Sequence, residues 1–224
     1  AFAIPSLAFP VVFYVLFAVV LPGNWGEMQK SAYLLATYGV FGVIGPSLFG
    51  FGVGLAIERE RGWLELKRVS PMPSSSYFLA KIAMSLVFGL AVVCLLTAAA
   101  VGLGGVRIGL ATWLQLLAVL LLGTAPFCAL GLLVGTLVKG QAAVAIVNLV
   151  YLPMSVLSGL WIPLFAFPPL LQKLAVVWPS YHLAQMALGV VGQVRGVDYL
   201  LHASVLAGST LVLLVLATWR LRRA

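Results

Sequence analysis

Charged residues are scarce in this sequence. Only 8% of its 224 residues are Asp, Glu, Lys or Arg, and five of those are acidic, while 63% of the chain is hydrophobic. A soluble domain of this size needs more charged residues than this to stay in solution. Most of the protein's surface must therefore face lipid. Inside hydrocarbon only α-helices and closed barrels pair every backbone N–H and C=O, and the apolar runs here do not alternate with polar residues. The sequence therefore predicts an all-α membrane protein.

Residues that commonly catalyse reactions or bind metals are also few. The two histidines, His182 and His202, belong to no H-E-x-x-H pattern, so no metal site is expected. The two cysteines, Cys94 and Cys128, lie in apolar runs without C-x-x-C spacing, which is typical of packing residues. The chain has no G-x-x-x-x-G-K-S/T phosphate loop, so no cofactor is expected in it. Ser47 is the one candidate nucleophile, and a small residue beside a proline kink is the alternative interpretation.

Ionisable residues are absent from the centres of the apolar segments. Transporters coupled to protons or ions place such groups in the middle of the membrane, where they exchange a proton or cation with the substrate. Their absence disfavours a secondary transporter. It favours an amphiphilic substrate over a small hydrophilic ion.

Six apolar segments approach or exceed the roughly 20 residues that a membrane-spanning helix needs. They comprise residues 2–21, 33–57, 78–103, 113–138, 142–160 and 199–219. Since no repeat or low-complexity linker divides the chain, we expect residues 1–224 to form a single domain. The sequence begins at Ala1, and an apolar run follows almost at once, so we expect a further segment upstream.

Positive charge is unequally divided between the two sides of these six segments. With the N-terminus inside, the inner side holds Arg59, Arg61, Lys67, Arg68, Lys81, Lys139, Arg220, Arg222 and Arg223, and the outer side holds Lys30, Arg107, Lys173 and Arg195. Cytoplasmic loops of membrane proteins are enriched in Lys and Arg. We therefore expect a multi-pass protein of the cell (inner) membrane with both termini cytoplasmic.

Two connections are more than turns. The inner one, residues 58–77, mixes both signs of charge with apolar residues, so a helix there would be amphipathic and lie on the membrane surface. The outer one, residues 161–198, has apolar runs that prolines interrupt, and these runs are too short to cross the membrane. We expect it to form a re-entrant or interfacial helical hairpin in the outer leaflet.

Small, polar and aromatic residues suggest how the segments pack. Gly50 with Gly54, and Gly131 with Gly135, have the spacing of close helix contacts. The polar residues within or near the segments are expected to form hydrogen bonds between helices; they are Asn148, Gln115, Gln141 and Thr124. Two prolines, Pro126 and Pro153, are expected to kink their helices. The aromatic residues expected at the outer membrane boundary are Trp25, Trp113, Trp161, Trp178 and Tyr181.

Two stretches resemble the permeases of ATP-binding cassette (ABC) type-2 exporters. In the stretch IERERGWLELKRVSPMP, the residues that match the family's signature after the second span are Glu58, Arg59, Glu60, Gly62, Glu65, Ser70 and Pro71. In residues 157–188, the residues that match its segment after the fifth span are Ser158, Gly159, Pro163, Pro168, Pro169, Leu174, Ala175 and Pro179. Family members usually have an amphipathic helix before the first span, and this sequence starts after it.

The resemblance implies a function. Such permeases resemble half-transporters, in which two copies or two related subunits enclose the pathway and two separate ATPase subunits bind ATP and Mg²⁺. The chain would then be no enzyme itself and would export a drug, lipid or glycolipid. The resemblance implies that the residues that couple the permease to the ATPase are Glu58, Arg59, Glu60, Arg61, Gly62 and Glu65. It also implies a re-entrant segment that contains Pro163, Pro168, Pro169 and Pro179. The alternatives are an intramembrane enzyme acting on lipid or peptide, and a passive channel or assembly protein; none of these readings implies nucleic acid.

Overall fold

Helices make up nearly all of the part of the chain that the computed structural model describes, which is residues 3–21, 23–26, 28–63 and 74–223. The α-helices are α1 (Ala3–Tyr14), α2 (Lys30–Leu48), α3 (Gly54–Glu60), α4 (Ser74–Gly102), α5 (Leu110–Leu122), α6 (Ala125–Leu137), α7 (Ala142–Leu157), α8 (Pro169–Ala175), α9 (Pro179–Val190) and α10 (Tyr199–Arg223). Two π-helical segments, Val15–Val20 and Phe49–Val53, extend α1 and join α2 to α3. A 3₁₀ turn, Leu164–Ala166, and an antiparallel pair of short strands, β1 (Asn24–Trp25) and β2 (Met28–Gln29), complete the described elements.

Four helical stretches are long and apolar enough to cross a membrane. They are Lys30–Glu60, Ser76–Gly102, Leu110–Leu137 and Tyr199–Leu221. The remaining two predicted segments contain the shorter apolar helices Leu7–Val20 and Ala142–Leu157. The prediction of an all-α membrane protein is thus confirmed, whereas a count of six spans and a re-entrant hairpin stay predictions.

Helix α2 is the centre of the bundle. It packs against α1, α4, α5, α6, α7 and α9, and its residues from Ala32 to Leu48 are buried. A helix that is apolar on every side is buried in this way, because no face of it prefers the surface. In contrast, α4 and α10 leave much of their apolar surface exposed, as expected of helices in contact with lipid.

Glycines bring α6 against the π segment that follows α2. A Cβ atom on Gly131 would lie 2.8 Å from the Leu48 carbonyl oxygen, and one on Gly135 would lie 2.8 Å from the Gly52 carbonyl oxygen. This pair therefore makes a real helix contact. The pair Gly50 and Gly54 does not take part in it, since a Cβ on Gly54 would meet the Lys81 ammonium group of α4 at 2.8 Å.

Two of the polar side chains that were expected to bond between helices bond locally instead. Thr124 donates to the Leu121 carbonyl and Asn148 to the Val144 carbonyl. A short polar side chain can reach the carbonyl three or four residues earlier, so it needs no partner on another helix. Pro126 was expected to kink a helix, but it lies in the first turn of α6, after a break at Gly123, and so begins a helix.

Different residues lie at the two ends of the bundle. At one, here called the charged end, the Glu60 side chain lies against Gly140, just before α7. At the other, here called the hairpin end, the Gly159 carbonyl just after α7 accepts a hydrogen bond from Tyr33 near the start of α2 (2.7 Å). Helix α7 therefore connects the two ends, although its 16 residues extend only about 24 Å, compared with roughly 30 Å of hydrocarbon.

Candidate functional site

The sequence signature at the charged end begins inside a helix. The predicted second span stops at Ile57, but α3 continues to Glu60, so Glu58 does not end it. Gly62 then has a φ of +70°, a left-handed conformation that glycine adopts readily and that commonly ends a helix. Residues 64–73 lie outside the described residues, and with them Glu65 and most of the predicted amphipathic helix.

Glu58 is held inside the bundle. Its carboxylate lies 3.1 Å from the Lys81 ammonium group of α4, and both side chains are largely buried, with 17% and 15% of their surface exposed. Lys81 also donates a hydrogen bond to the Gly50 carbonyl of the π segment (3.0 Å) and lies over the Tyr77 ring. A buried charge needs this kind of pairing. The pair therefore joins α3 to α4.

Arg59 joins α3 to α6. Its Nη1 donates to the carbonyl oxygens of Gly135 (2.8 Å) and Thr136 (2.7 Å). These carbonyls belong to the last turn of α6, where no further helical N–H is available to bond them. A cation at a helix C-terminus is also favoured by the helix dipole. Arg59 thus caps α6.

Glu60 and Arg61 are the exposed charges in the described part of the signature. The Glu60 carboxylate occupies the space that a Cβ on Gly140 would need, and Gly140 itself has a φ of +51°. Arg61 lies over the ring of Trp63 at 5.3 Å. Of the five coupling residues that the structure describes, these two combine charge with exposure, while Glu58 and Arg59 make contacts within the bundle.

The segment after α7, where the sequence predicts a hairpin, contains two short helices, α8 and α9, and prolines begin both of them. Pro163 is buried and precedes the 3₁₀ turn, Pro168 and Pro169 stand at the start of α8, and Pro179 is the first residue of α9. The fixed φ of proline suits the first helical position, where its missing N–H would have no partner. Both α8 and α9 are too short to cross a membrane.

This hairpin is firmly attached to the rest of the hairpin end. Helix α9 packs against α2, α5 and α10, and Ser180 of α9 contacts Ser158 after α7. The Gln193 side chain beyond α9 accepts a hydrogen bond from the Gln29 backbone N–H of β2 (2.9 Å). None of these long-range contacts could be read from the sequence.

The two histidines meet at the hairpin end. Nδ1 of His182 in α9 lies 2.8 Å from Nδ1 of His202 in α10, and Nε2 of His182 lies 2.8 Å from the Val176 carbonyl oxygen. Both ring nitrogens of His182 therefore have partners. Ser47 donates its own hydroxyl to the Val43 carbonyl (2.8 Å), so the two residues do not form the pair that an intramembrane hydrolase would need.

Aromatic rings form a cluster between α1, α2, α7 and the hairpin. Trp161, expected in an aromatic belt, has its ring 5.6 Å from those of both Phe13 and Phe41. Phe41 stacks on Tyr151 at 4.8 Å, and Phe9 at the edge is 39% exposed. The indole N–H of Trp161 is buried without a hydrogen-bond partner among the described residues. Such donors are uncommon in proteins.

Comparisons with known proteins agree with this architecture. A model of the ABC-2 family of transporter proteins matches residues 26–219. A protein of Bacillus subtilis (strain 168) named "Putative transport permease YvfS" is 29% identical over 192 residues, which is 85% of this chain and 78% of that protein. The match of the family model extends over the charged end, the hairpin end and the helices between them. The chain therefore belongs to the ABC-2 family of transporter proteins.

Proposed function

We propose that the protein is the membrane permease subunit of an ABC exporter, driven by ATP that a separate ATPase subunit hydrolyses. The observation that carries this proposal is that a member of the ABC-2 family presents Glu60 and Arg61 at the tip of α3. Two exposed charges of opposite sign suit a docking surface, since complementary charges set the register between partners. The ATPase docks at the charged end.

The contacts of Glu58 and Arg59 suggest how a movement of the ATPase would reach the bundle. Glu58 ties α3 to α4 through Lys81, and Arg59 ties α3 to the end of α6. A force on Glu60 and Arg61 would therefore move three helices together instead of bending one loop. Small displacements become large rearrangements when packed elements move as rigid bodies.

The assembly we propose has six spans, with the charged end and both termini in the cytoplasm of the cell membrane. Helix α7 and the α1 region cross as the two shorter spans, and the hairpin enters the outer leaflet. Two such permeases, identical or related, stand over two ATPase subunits. Supporting this orientation, Arg61, Lys139 and Arg220 would all lie on the cytoplasmic side, as the bias of basic residues in membrane proteins requires.

The substrate we propose is amphiphilic, such as a drug, a lipid or a glycolipid, and it moves outward. The aromatic cluster supports this choice, since Phe9 offers an exposed apolar ring beside the buried indole N–H of Trp161. Sites that bind small molecules combine apolar side chains with a few polar groups that orient the ligand.

The test measures ATP hydrolysis by the permease reconstituted in vesicles with the ATPase encoded beside it. Arg61→Glu should reduce this activity about tenfold or more, because like charges across an interface cost several kcal/mol and each 1.4 kcal/mol is a factor of ten. Glu60→Lys should act in the same direction.

The matched control is Arg195→Glu, which reverses an exposed arginine at the hairpin end. It should leave the ATPase activity unchanged, and thermal unfolding should show that all variants are folded. If Arg61→Glu hydrolyses ATP at the normal rate, or if the purified permease binds no ATPase, the proposed coupling is wrong.

A further inference from the structure

A large apolar cleft opens between α4 and α10, and none of the residues that line it belongs to the aromatic cluster described above. One wall is α4 between Phe78 and Leu86, the other is α10 between Thr210 and Leu221, and the junction of α5 and α6 forms its floor. Its volume is about 940 Å³, near the upper limit of the roughly 300 to 1,000 Å³ that ligand pockets usually have. The cleft, here called the α4–α10 cleft, is a different place from the coupling surface.

The length of the α4–α10 cleft is that of one leaflet. From Thr210 to Leu221 its wall extends about 16 Å along α10, close to half of the roughly 30 Å of hydrocarbon in a bilayer. It ends in the last turns of α10. A second apolar cavity of about 560 Å³ continues toward the hairpin end and shares Leu122, Ala125 and Thr210 with it.

The charges at the two ends of α10 are opposite. Arg220 is exposed and precedes Leu221, the last residue of α10 that lines the cleft, and Arg222 and Arg223 follow in the sequence. At the other end, Asp198 accepts a hydrogen bond from the Leu201 backbone N–H. A ligand with a negative head and an apolar tail is therefore favoured with its head at the arginines.

We propose that the α4–α10 cleft binds an anionic phospholipid of the cytoplasmic leaflet, with an acyl chain in the cleft and the headgroup at the basic end of α10, where the sequence supplies Arg220 and then Arg222. Basic pockets between membrane helices on the cytoplasmic side bind acidic lipid headgroups elsewhere by the same chemistry. The hydroxyls of Thr124 and Thr218 and the thiol of Cys128 are among the groups that line the cleft. The assignment of the leaflet rests on the orientation under the proposed function, whereas the binding itself does not depend on transport.

The experiment is a titration of the purified full-length protein with phosphatidylglycerol or phosphatidylcholine of the same acyl chains, followed by native mass spectrometry. The wild type should bind phosphatidylglycerol about 25-fold more tightly, since each of the two arginines near a headgroup contributes about fivefold. The double variant Arg220→Gln with Arg222→Gln should lose this preference. Ala125→Phe, which fills the cleft from an exposed position, should weaken the binding of both lipids.

Two control variants match these changes away from the cleft. Arg107→Gln removes an exposed arginine at the opposite end of α4, and Ala145→Phe adds a ring to an exposed position of α7; neither should change lipid binding. Equal binding of the two lipids by the wild type, or a preference that survives the loss of both arginines, would overturn the proposal. The proposal would also be overturned if the wild type were a dimer, and if Ala125→Phe separated it into monomers without changing lipid binding. A second copy of the chain, and not a lipid, would then cover the cleft. No ATPase is present in this measurement, so a failure of coupling would not be mistaken for a failure of lipid binding.

Discussion

At the scale of single residues, the charges of the sequence signature have two different structural roles. Arg59 bonds the last carbonyls of α6, and Glu58 bonds Lys81, so removal of either would leave a largely buried group without its partner. A buried group that loses its partner costs about 1 to 3 kcal/mol, and more when it is charged. Glu60 and Arg61 are exposed, and their substitution should affect binding of a partner more than folding. A signature in sequence does not separate these roles, because they depend on which helix lies opposite each side chain.

The contact between α6 and the π segment after α2 leads to a prediction for the stability of the protein. Gly135→Ala should destabilise the protein by about 1 to 3 kcal/mol, because its Cβ would press on the Gly52 carbonyl oxygen at 2.8 Å and both backbones would have to move. The measurement is thermal unfolding of the purified protein in detergent. Gly208→Ala is the control, since a Cβ on Gly208 of α10 meets nothing within 4 Å, and alanine in a helix should stabilise by up to about 1 kcal/mol. Equal stability of the two variants would contradict the contact.

At the scale of elements, hydropathy predicted the positions of the helices well and their interruptions poorly. The fourth predicted segment, 113–138, is two helices that break at Gly123 and Thr124, and the second contains a π segment at Phe49–Val53. The strands β1 and β2 between α1 and α2 were not predicted at all. A hydropathy pattern records only which residues avoid water, and these local changes of backbone leave that pattern unaltered. The prolines of the hairpin were recognised from the sequence, but their place at the starts of α8 and α9 became clear only in the structure.

The contact of α9 with α10 leads to a prediction for the pair of histidines. His182→Phe and His202→Phe should each destabilise the protein by about 1 to 3 kcal/mol, because each removes one side of the Nδ1 to Nδ1 hydrogen bond and leaves the Nδ1 atom of the other, buried histidine without its partner. The double variant should lose less than the sum of the two, since no unpaired imidazole then remains. Thermal unfolding of the four proteins measures this coupling. Strictly additive losses would show that the two rings do not interact.

At the scale of the whole molecule, the number of spans and the side on which each loop lies depend on whether α7 crosses the membrane. Its first residue follows Gly140 at the charged end, and the Gly159 carbonyl beyond its last turn bonds Tyr33 at the hairpin end. The helix is short for a span, yet it connects the same two ends as the longer helices around it. A bilayer can thin locally around a short helix at modest cost. The sequence predicted this segment from its apolar composition, and the structure adds which ends it joins.

The arrangement of α7 can be tested by labelling on both sides of the membrane. In a variant that lacks Cys94 and Cys128, single cysteines are introduced as Lys139→Cys before α7 and Arg195→Cys after it, both at exposed positions. In intact cells a membrane-impermeant maleimide should label Arg195→Cys, whereas Lys139→Cys should react only after the membrane is permeabilised. The physical reason is that α7, whose sixteen residues are mostly apolar, lies between them. Arg61→Cys serves as the reference for the charged end and should behave like Lys139→Cys. If Arg195→Cys and Lys139→Cys are labelled from the same side, α7 does not cross the membrane, and Arg220 would then face the side opposite to Arg61.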